Sequence, residues 1–135
     1  MQLHQLLLHL SISTDQFIDI LSRSTLGQRR PIDDIERMKK MLDHADILIT
    51  AWDDELLVGV SRAHTDFSFC CYLADLAVDE NYQKLGIGKK LIDLTHETAT
   101  FETTLILLSA PAAIDYYPRI GMEKVENCFI IPKKS

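Results

Sequence analysis

The stretch Leu76-Ala77-Val78-Asp79-Glu80-Asn81-Tyr82-Gln83-Lys84-Leu85-Gly86-Ile87-Gly88-Lys89-Lys90-Leu91 decides how this chain folds. It begins as the end of an almost wholly apolar run, Phe69 to Val78, that reads as a strand. The chain then turns polar and passes two glycines. It resumes with Gly88, Leu91, Ile92, Thr95 and Ala99 at i, i+3, i+4, i+7 and i+11, the spacing of one helix face. Leu105 to Leu108 follows as a short buried strand ended by Pro111. Strand, glycine turn, helix and strand make a βαβ-like unit. Glycines at such a junction let the backbone approach a ligand, and the first N–H groups of the helix have no partner within it. The junction suits an anion, usually phosphate, and Lys84, Lys89 and Lys90 gather positive charge there. Taken alone, a Gly-x-Gly reads better as a plain helix start with solvated lysines.

Upstream, Ile47 to Trp52 and Leu56 to His64 flank the acidic turn Asp53-Asp54-Glu55 and read as a hairpin. A turn around Asp66 joins it to Phe69–Val78, giving a three-strand antiparallel meander. Before it lie two helices. Ser13 and Gln16 form a capping box for a helix over Thr14 to Ser24, with Phe17, Ile20 and Leu21 as its apolar stripe. Gly27 to Pro31 breaks it. The second carries Ile35, Met38 and Leu42 on one face, Asp33 and Asp34 at its start, and Lys39 and Lys40 near its end. The first segment fits helical spacing through Leu3, Leu6, Leu7 and Leu10, and strand alternation through Leu6, Leu8 and Leu10. Downstream, a short helix around Ala112 to Tyr117 and one or two C-terminal strands, including Cys128 to Ile131, complete a mixed α and β class.

With 135 residues, 47% hydrophobic and 25% charged, the chain has the size and make-up of one globular domain, 1–135. Its net charge of −6 argues against nucleic acid as the main partner and for cationic ligands. Cys70, Cys71 and Cys128 show no disulfide or zinc spacing and read as small buried residues in a reducing cytoplasm. No apolar run approaches the ~20 residues that a membrane span needs. The leucine-rich start lacks a basic region and a small-residue cleavage site, so a signal peptide is not expected.

Two phosphate motifs fail at the glycine turn. A Walker loop needs glycine where Gln83 stands and Ser or Thr where Lys90 stands, and a dinucleotide fingerprint needs glycine at Leu91. His96-Glu97 lacks the second histidine of a zinc protease, since position 100 is Thr100, and no metal site is indicated. What remains is Gln83-x-x-Gly86-x-Gly88 directly after an apolar strand. This segment resembles the acyl-CoA signature of the GNAT superfamily of N-acetyltransferases. A second block, Ala113-Ile114-Asp115-Tyr116-Tyr117-Pro118-Arg119-Ile120-Gly121-Met122, resembles the family's Asn-x-x-Ala-x-x-Phe-Tyr-x-Lys-x-Gly-Phe. Here Ala110 replaces the asparagine, Tyr116 the first phenylalanine and Met122 the last. The resemblance covers most of the chain from Asp46 onward.

The resemblance implies a central, mostly antiparallel β-sheet, splayed in the middle and flanked by helices on both faces. It implies transfer of an acetyl group from acetyl-CoA to a primary amine of a small molecule or peptide. Backbone N–H groups of Gln83, Lys84, Leu85, Gly86, Ile87 and Gly88 would hold the pyrophosphate, with Lys84, Lys89 or Lys90 in further phosphate contact. Leu76, Ala77 and Val78 would lend backbone groups to the pantetheine arm and one N–H to the developing oxyanion. Tyr117 corresponds to the general acid; the alternatives are packing under Pro118, or Tyr116 in that role. A phenol, with a reference pKa of about 10, is protonated at neutral pH.

The base is open between three readings. Asp75 is the sole charge in the apolar run, where desolvation favours proton uptake, although a structural aspartate fits as well. His64 is second, and a water chain is third. Trp52, Phe67, Phe69 and Tyr72 either line the acceptor side or belong to the core. By the resemblance, a homodimer through the C-terminal strands is one open assembly. The rival class is an acyl-CoA-binding sensor or subunit without turnover, and a purely structural role fits the glycine turn poorly.

Overall fold

The computed structural model describes residues 5–8, as backbone, and 11–134. Strands β1 (Gln5–Leu8), β2 (Ile47–Asp53), β3 (Leu56–Thr65), β4 (Cys70–Val78) and β5 (Thr104–Ile106) form one sheet in chain order. The first four are antiparallel to their neighbours, whereas β5 runs parallel to β4. Helices α1 (Thr14–Arg23) and α2 (Ile35–Asp43) lie between β1 and β2, α3 (Ile87–Ala99) between β4 and β5, and α4 (Tyr116–Arg119) follows β5. The leucine pattern of the first segment falls partly outside the described residues; the backbone of Gln5–Leu8 is a strand.

Local sequence explains the helix starts. Ser13 Oγ accepts from the Gln16 N–H, and the Gln16 side chain accepts from the Ser13 N–H, closing the expected capping box. Asp34 caps α2 by accepting from the Arg37 N–H. In α2 only Met38 is fully buried; Ile35, expected beside it, is exposed because it opens the first turn.

Each face of the sheet has its own core, as strand alternation requires. Phe17, Ile20, Leu21 and Met38 pack with Leu57, Val60 and Ala77 on the α1/α2 face. Ile47, Ile49, Ala51, Cys71 and Leu73 meet Ile87, Leu91, Ile92 and Ala99 of α3 on the other. The five α3 positions picked out by spacing, Gly88, Leu91, Ile92, Thr95 and Ala99, are all buried. Gly59 brings sheet and helix close: a Cβ there would lie 3.1 Å from Leu91 Cδ1.

The β3–β4 ladder slips at one place. Ala63 pairs with Leu73 and Arg62 with Asp75, so Ala74 is an extra residue in β4, a β-bulge. The bulge reverses which side chains face which core. Cys71 and Leu73 pack under α3, whereas Asp75 and Ala77 point to the α1/α2 side.

The C-terminal expectations need correction. β5 is three residues long rather than Leu105 to Leu108 and, as the edge of the sheet, is not buried, with Thr104 and Ile106 exposed. Pro111–Ala113 forms a 3₁₀ turn ahead of the one-turn α4. Residues 123–134 contain no strand. Phe129, Ile130 and Ile131 are 93%, 67% and 87% exposed. An apolar run signals a strand only if a ladder partner exists, and no described residue pairs with it. Cys71 is buried as expected, but Cys70 and Cys128 are exposed; all three are free.

Candidate functional site

The site is built where β4 and β5 part. Their parallel pairing holds only at Cys70–Thr104, Cys71–Leu105 and Tyr72–Ile106, after which β5 ends and β4 runs on to Val78. The β4 edge from Leu73 to Val78 is therefore open on the β5 side, with Leu76 and Val78 half-buried and Ala77 buried. At its end, Asp79 is held at three points. Its N–H donates to Val58 O (2.9 Å), Oδ1 accepts from the Asn81 N–H (2.8 Å), and Oδ2 pairs with Arg23 Nη1 (2.5 Å). Arg23 also donates to Leu57 O, tying the end of α1 to the start of the glycine turn.

The turn exposes its backbone. Gln83, Lys84, Leu85 and Gly86 are exposed, and the Gln83 side chain folds back to donate to Val78 O. Lys84 and Gly86 take left-handed φ values of +68° and +84°. Gly86 opens α3 with no side-chain cap, so the N–H groups of the first turn point outward without helical partners. Lys89 Nζ pairs with Asp93 at 2.7 Å. Tyr82, inside the turn, donates to Asp53 at 2.6 Å, which raises its pKa and anchors the turn to the β2–β3 hairpin.

The second block lies alongside. Tyr116 reaches α3 so closely that a Cβ on Gly88 would sit 2.8 Å from its hydroxyl. Tyr116 and Tyr117 meet edge to face, with ring centroids 5.2 Å apart. Tyr117 packs against the α3-side core, and burial raises its pKa above the ordinary phenol value, as it does for Tyr116. Both hydroxyls thus remain protonated well above neutral pH.

Asp75 departs from its expected surroundings. Its carboxylate is fully buried, but it is not an isolated desolvated acid: Oδ1 pairs with Arg30 Nε at 2.5 Å and Oδ2 with Arg62 Nε. A carboxylate held at both oxygens by guanidinium groups fits the structural reading of Asp75 better than the reading as a base. His64 is also engaged. Its Nε2 lies 3.0 Å from Arg62 Nη1, and because arginine has no lone pair the imidazole must accept there. Trp52 packs on the α1/α2 core and donates to Thr50, while Phe67, Phe69 and Tyr72 are exposed.

Comparison with known proteins now bears on this arrangement. The model of the acetyltransferase (GNAT) family matches residues 14–122, from the start of α1 past α4. The chain belongs to the GNAT acetyltransferase family. The uncharacterized N-acetyltransferase ycf52 of Porphyra purpurea is 28% identical over 115 residues, covering 78% of this chain and 64% of that protein. The chain thus spans less than two thirds of that relative's length. A GNAT family acetyltransferase of Streptococcus pneumoniae superposes with a TM-score of 0.76 at 18% identity, over 96% of this chain and 98% of the other. An aminoglycoside N-acetyltransferase, AAC(6')-Iy, solved in complex with CoA, superposes with a TM-score of 0.72 at 15% identity, over 100% and 98%. At those identities the likeness is one of fold.

Within this GNAT chain, the two sequence blocks meet: Tyr116 of α4 lies against Gly88 at the start of α3, and Tyr117 packs on the α3-side core. Sequence reading missed the arginines. Arg23, Arg30 and Arg62 each reach a buried aspartate across the fold, 56, 45 and 13 residues away. The only available signal was Arg62 within an otherwise apolar strand, which demands a buried partner. Among the described residues no cluster of His, Cys, Asp and Glu is placed to hold a metal, and no helix is long and apolar enough to cross a membrane.

Proposed function

We propose that this GNAT chain transfers an acetyl group from acetyl-CoA to a primary amine by direct attack on the thioester. The observation that carries the reading is the parting of β4 from β5 beside an uncapped helix N-terminus. Backbone groups along Leu76, Ala77 and Val78 bind the amides of the pantetheine arm, and one N–H faces the developing oxyanion. The N–H groups of Gln83 to Gly88 bind the pyrophosphate, with Lys84, Lys89 or Lys90 beside it. As the neutral amine nitrogen bonds to the thioester carbon, the C–S bond breaks, and Tyr117 Oη donates its proton to the departing thiolate. The proton the nitrogen sheds on becoming an amide returns through water to Tyr117. With Asp75 and His64 both engaged, the ammonium proton leaves through water. The CoA complex of AAC(6')-Iy, of the same fold, supports the choice of donor.

On this reading residues 1–135 form one acetyltransferase domain, with no metal and no nucleic acid or membrane partner. Its three free cysteines favour a cytoplasmic location. The exposed Phe129–Ile131 segment favours a homodimer. Calorimetric titration with acetyl-CoA tests the donor. Binding is expected in the wild type and loss in Gly86→Val, which forces a branched side chain to φ +84°. Wild-type protein that gives no heat at millimolar acetyl-CoA ends the reading.

A second reading, an acyl-CoA-binding subunit without turnover, draws on two observations. Ala110 stands where the family carries asparagine, and Asp75 is clamped. Thiol release across a panel of amines separates the two: CoA binding without release on any amine favours the subunit.

A further inference from the structure

The β4 bulge is held from outside the sheet. Arg30, in the connection between α1 and α2, donates through Nη2 to the carbonyl of Ala74, the bulged residue, at 2.8 Å. The same guanidinium donates through Nε to Asp75 Oδ1, and Nη1 is fixed on Arg29 O. Arg62, from β3, takes the other oxygen of Asp75 and extends Nη1 to Met41 O, near the C-terminus of α2 (3.3 Å), and to His64. One buried carboxylate thus joins two guanidinium groups, and those groups reach the α1–α2 connection, α2, β3 and the extra residue of β4.

A bulge needs such fixing. An extra residue leaves a carbonyl out of the ladder, and without a donor the strand gains by slipping back into regular pairing. Slippage by one residue would turn Asp75 into the α3-side core and exchange which N–H and C=O groups of residues 75–78 face β3 and which face the open side. Burying a carboxylate and two arginines is costly in itself, so the cluster is a poor device for stability alone and a good one for specifying a single register.

We propose that Arg30, Asp75 and Arg62 are positioning residues that clamp the β4 bulge at Ala74 and thereby set which backbone groups the open β4 edge offers to the thioester arm. This inference rests on the acetyl-CoA reading and gives Asp75 a role other than base. The clamp acts on the edge that receives the arm, and it makes no bond to the glycine turn that receives the nucleotide.

Two ligands separate these effects: CoA, and 3′-phospho-ADP, which is the same nucleotide without the arm. Arg30→Lys keeps the charge but, as a point donor, cannot bridge Asp75 and Ala74 O together. Asp75→Asn keeps the shape and removes the anion. Phe17→Leu, in the α1 core, lowers stability, and Phe17 makes none of the clamp's hydrogen bonds. Calorimetry well below each variant's melting temperature is expected to show CoA binding weakened about tenfold or more in the clamp variants, the scale of a slightly misplaced binding edge. Affinity for 3′-phospho-ADP stays at the wild-type value, and Phe17→Leu leaves both unchanged. Should Asp75→Asn fail to fold, Arg30→Lys decides, since Arg30 is partly exposed. Clamp variants that bind CoA as the wild type does, or that lose CoA and 3′-phospho-ADP in parallel, overturn the clamp. A wild type that binds neither ligand overturns the acetyl-CoA reading first, and the clamp with it.

Discussion

Tyr117 and Asp66 give the sharpest expectations at the level of single residues. Tyr117 is packed on the α3 core, and burial pushes its pKa above the ordinary phenol value near 10. As a general acid it therefore keeps its proton through the working range. The activity of the wild type is expected to show no loss attributable to this group until the pH passes 10. Tyr117→Phe should lower turnover about 100-fold or more while leaving CoA affinity unchanged. A steady-state and calorimetric comparison of the two proteins checks this, and unaltered turnover moves the role to Tyr116. Asp66 caps the turn into β4 by accepting from the N–H groups of Ser68, Phe69 and Cys70. Those bonds, Phe69 first, lower its pKa from 3.8 to about 2. A depressed carboxylate adds stability above its unfolded pKa and loses it as the pH falls towards the folded one. Asp66→Asn should thus flatten the fall in melting temperature between pH 4 and pH 2. An identical acid profile in the variant would mean that the turn opens before Asp66 titrates.

Among the elements, periodicity revealed those that complete their own pattern, and it failed where a partner was required. α1 and α3 were legible because capping and apolar spacing are local: Ser13, Gln16, Phe17, Ile20 and Leu21 all do what their positions imply. The hairpin and meander were legible from the turns at Asp54 and Asp66. β5 was legible as a short strand but not in its bounds, and the strand expected at Cys128 to Ile131 is not formed, because a parallel or edge strand is defined by what lies beside it. The Ala74 bulge was equally hidden, since one extra apolar residue leaves no mark in a run that is apolar throughout. For the site, Gln83 to Gly88 and the tyrosine pair were readable as motifs, whereas the state of Asp75 depended on arginines that only the fold brings near. The contact between β3 and α3 offers an element-scale test. At Gly59 a methyl group would lie 3.1 Å from Leu91 Cδ1 and 3.3 Å from Ile87 Cγ2. Gly59→Ala should therefore cost about 1–3 kcal/mol through overpacking. It should also shift the N-terminus of α3 against the sheet. Urea unfolding measures the first effect and CoA titration the second; a variant as stable as the wild type would show that α3 moves away freely.

At the scale of the whole molecule, the sheet ends in β5, three residues long, and no described residue pairs with its outer edge. The same chain carries an apolar segment that lacks a strand partner, with Val125, Phe129, Ile130 and Ile131 all more than half exposed. A free edge and an unpaired apolar segment on one chain are self-complementary, so a two-fold pair of chains can satisfy both at once. Full burial of Phe129, Ile130 and Ile131 is worth about 5–9 kcal/mol per chain. Two copies then contribute about 10–18 kcal/mol, against the about 4–15 kcal/mol that association costs. The apolar faces of Ile106 and Leu108, also more than half exposed, would be covered in the same step. Sedimentation equilibrium is expected to give a dimer for the wild type. Phe129→Asp with Ile131→Asp should give a monomer with unchanged far-ultraviolet circular dichroism, because neither side chain touches the core of its own chain. A wild type that stays monomeric up to its solubility limit would leave the C-terminal segment without a role in assembly.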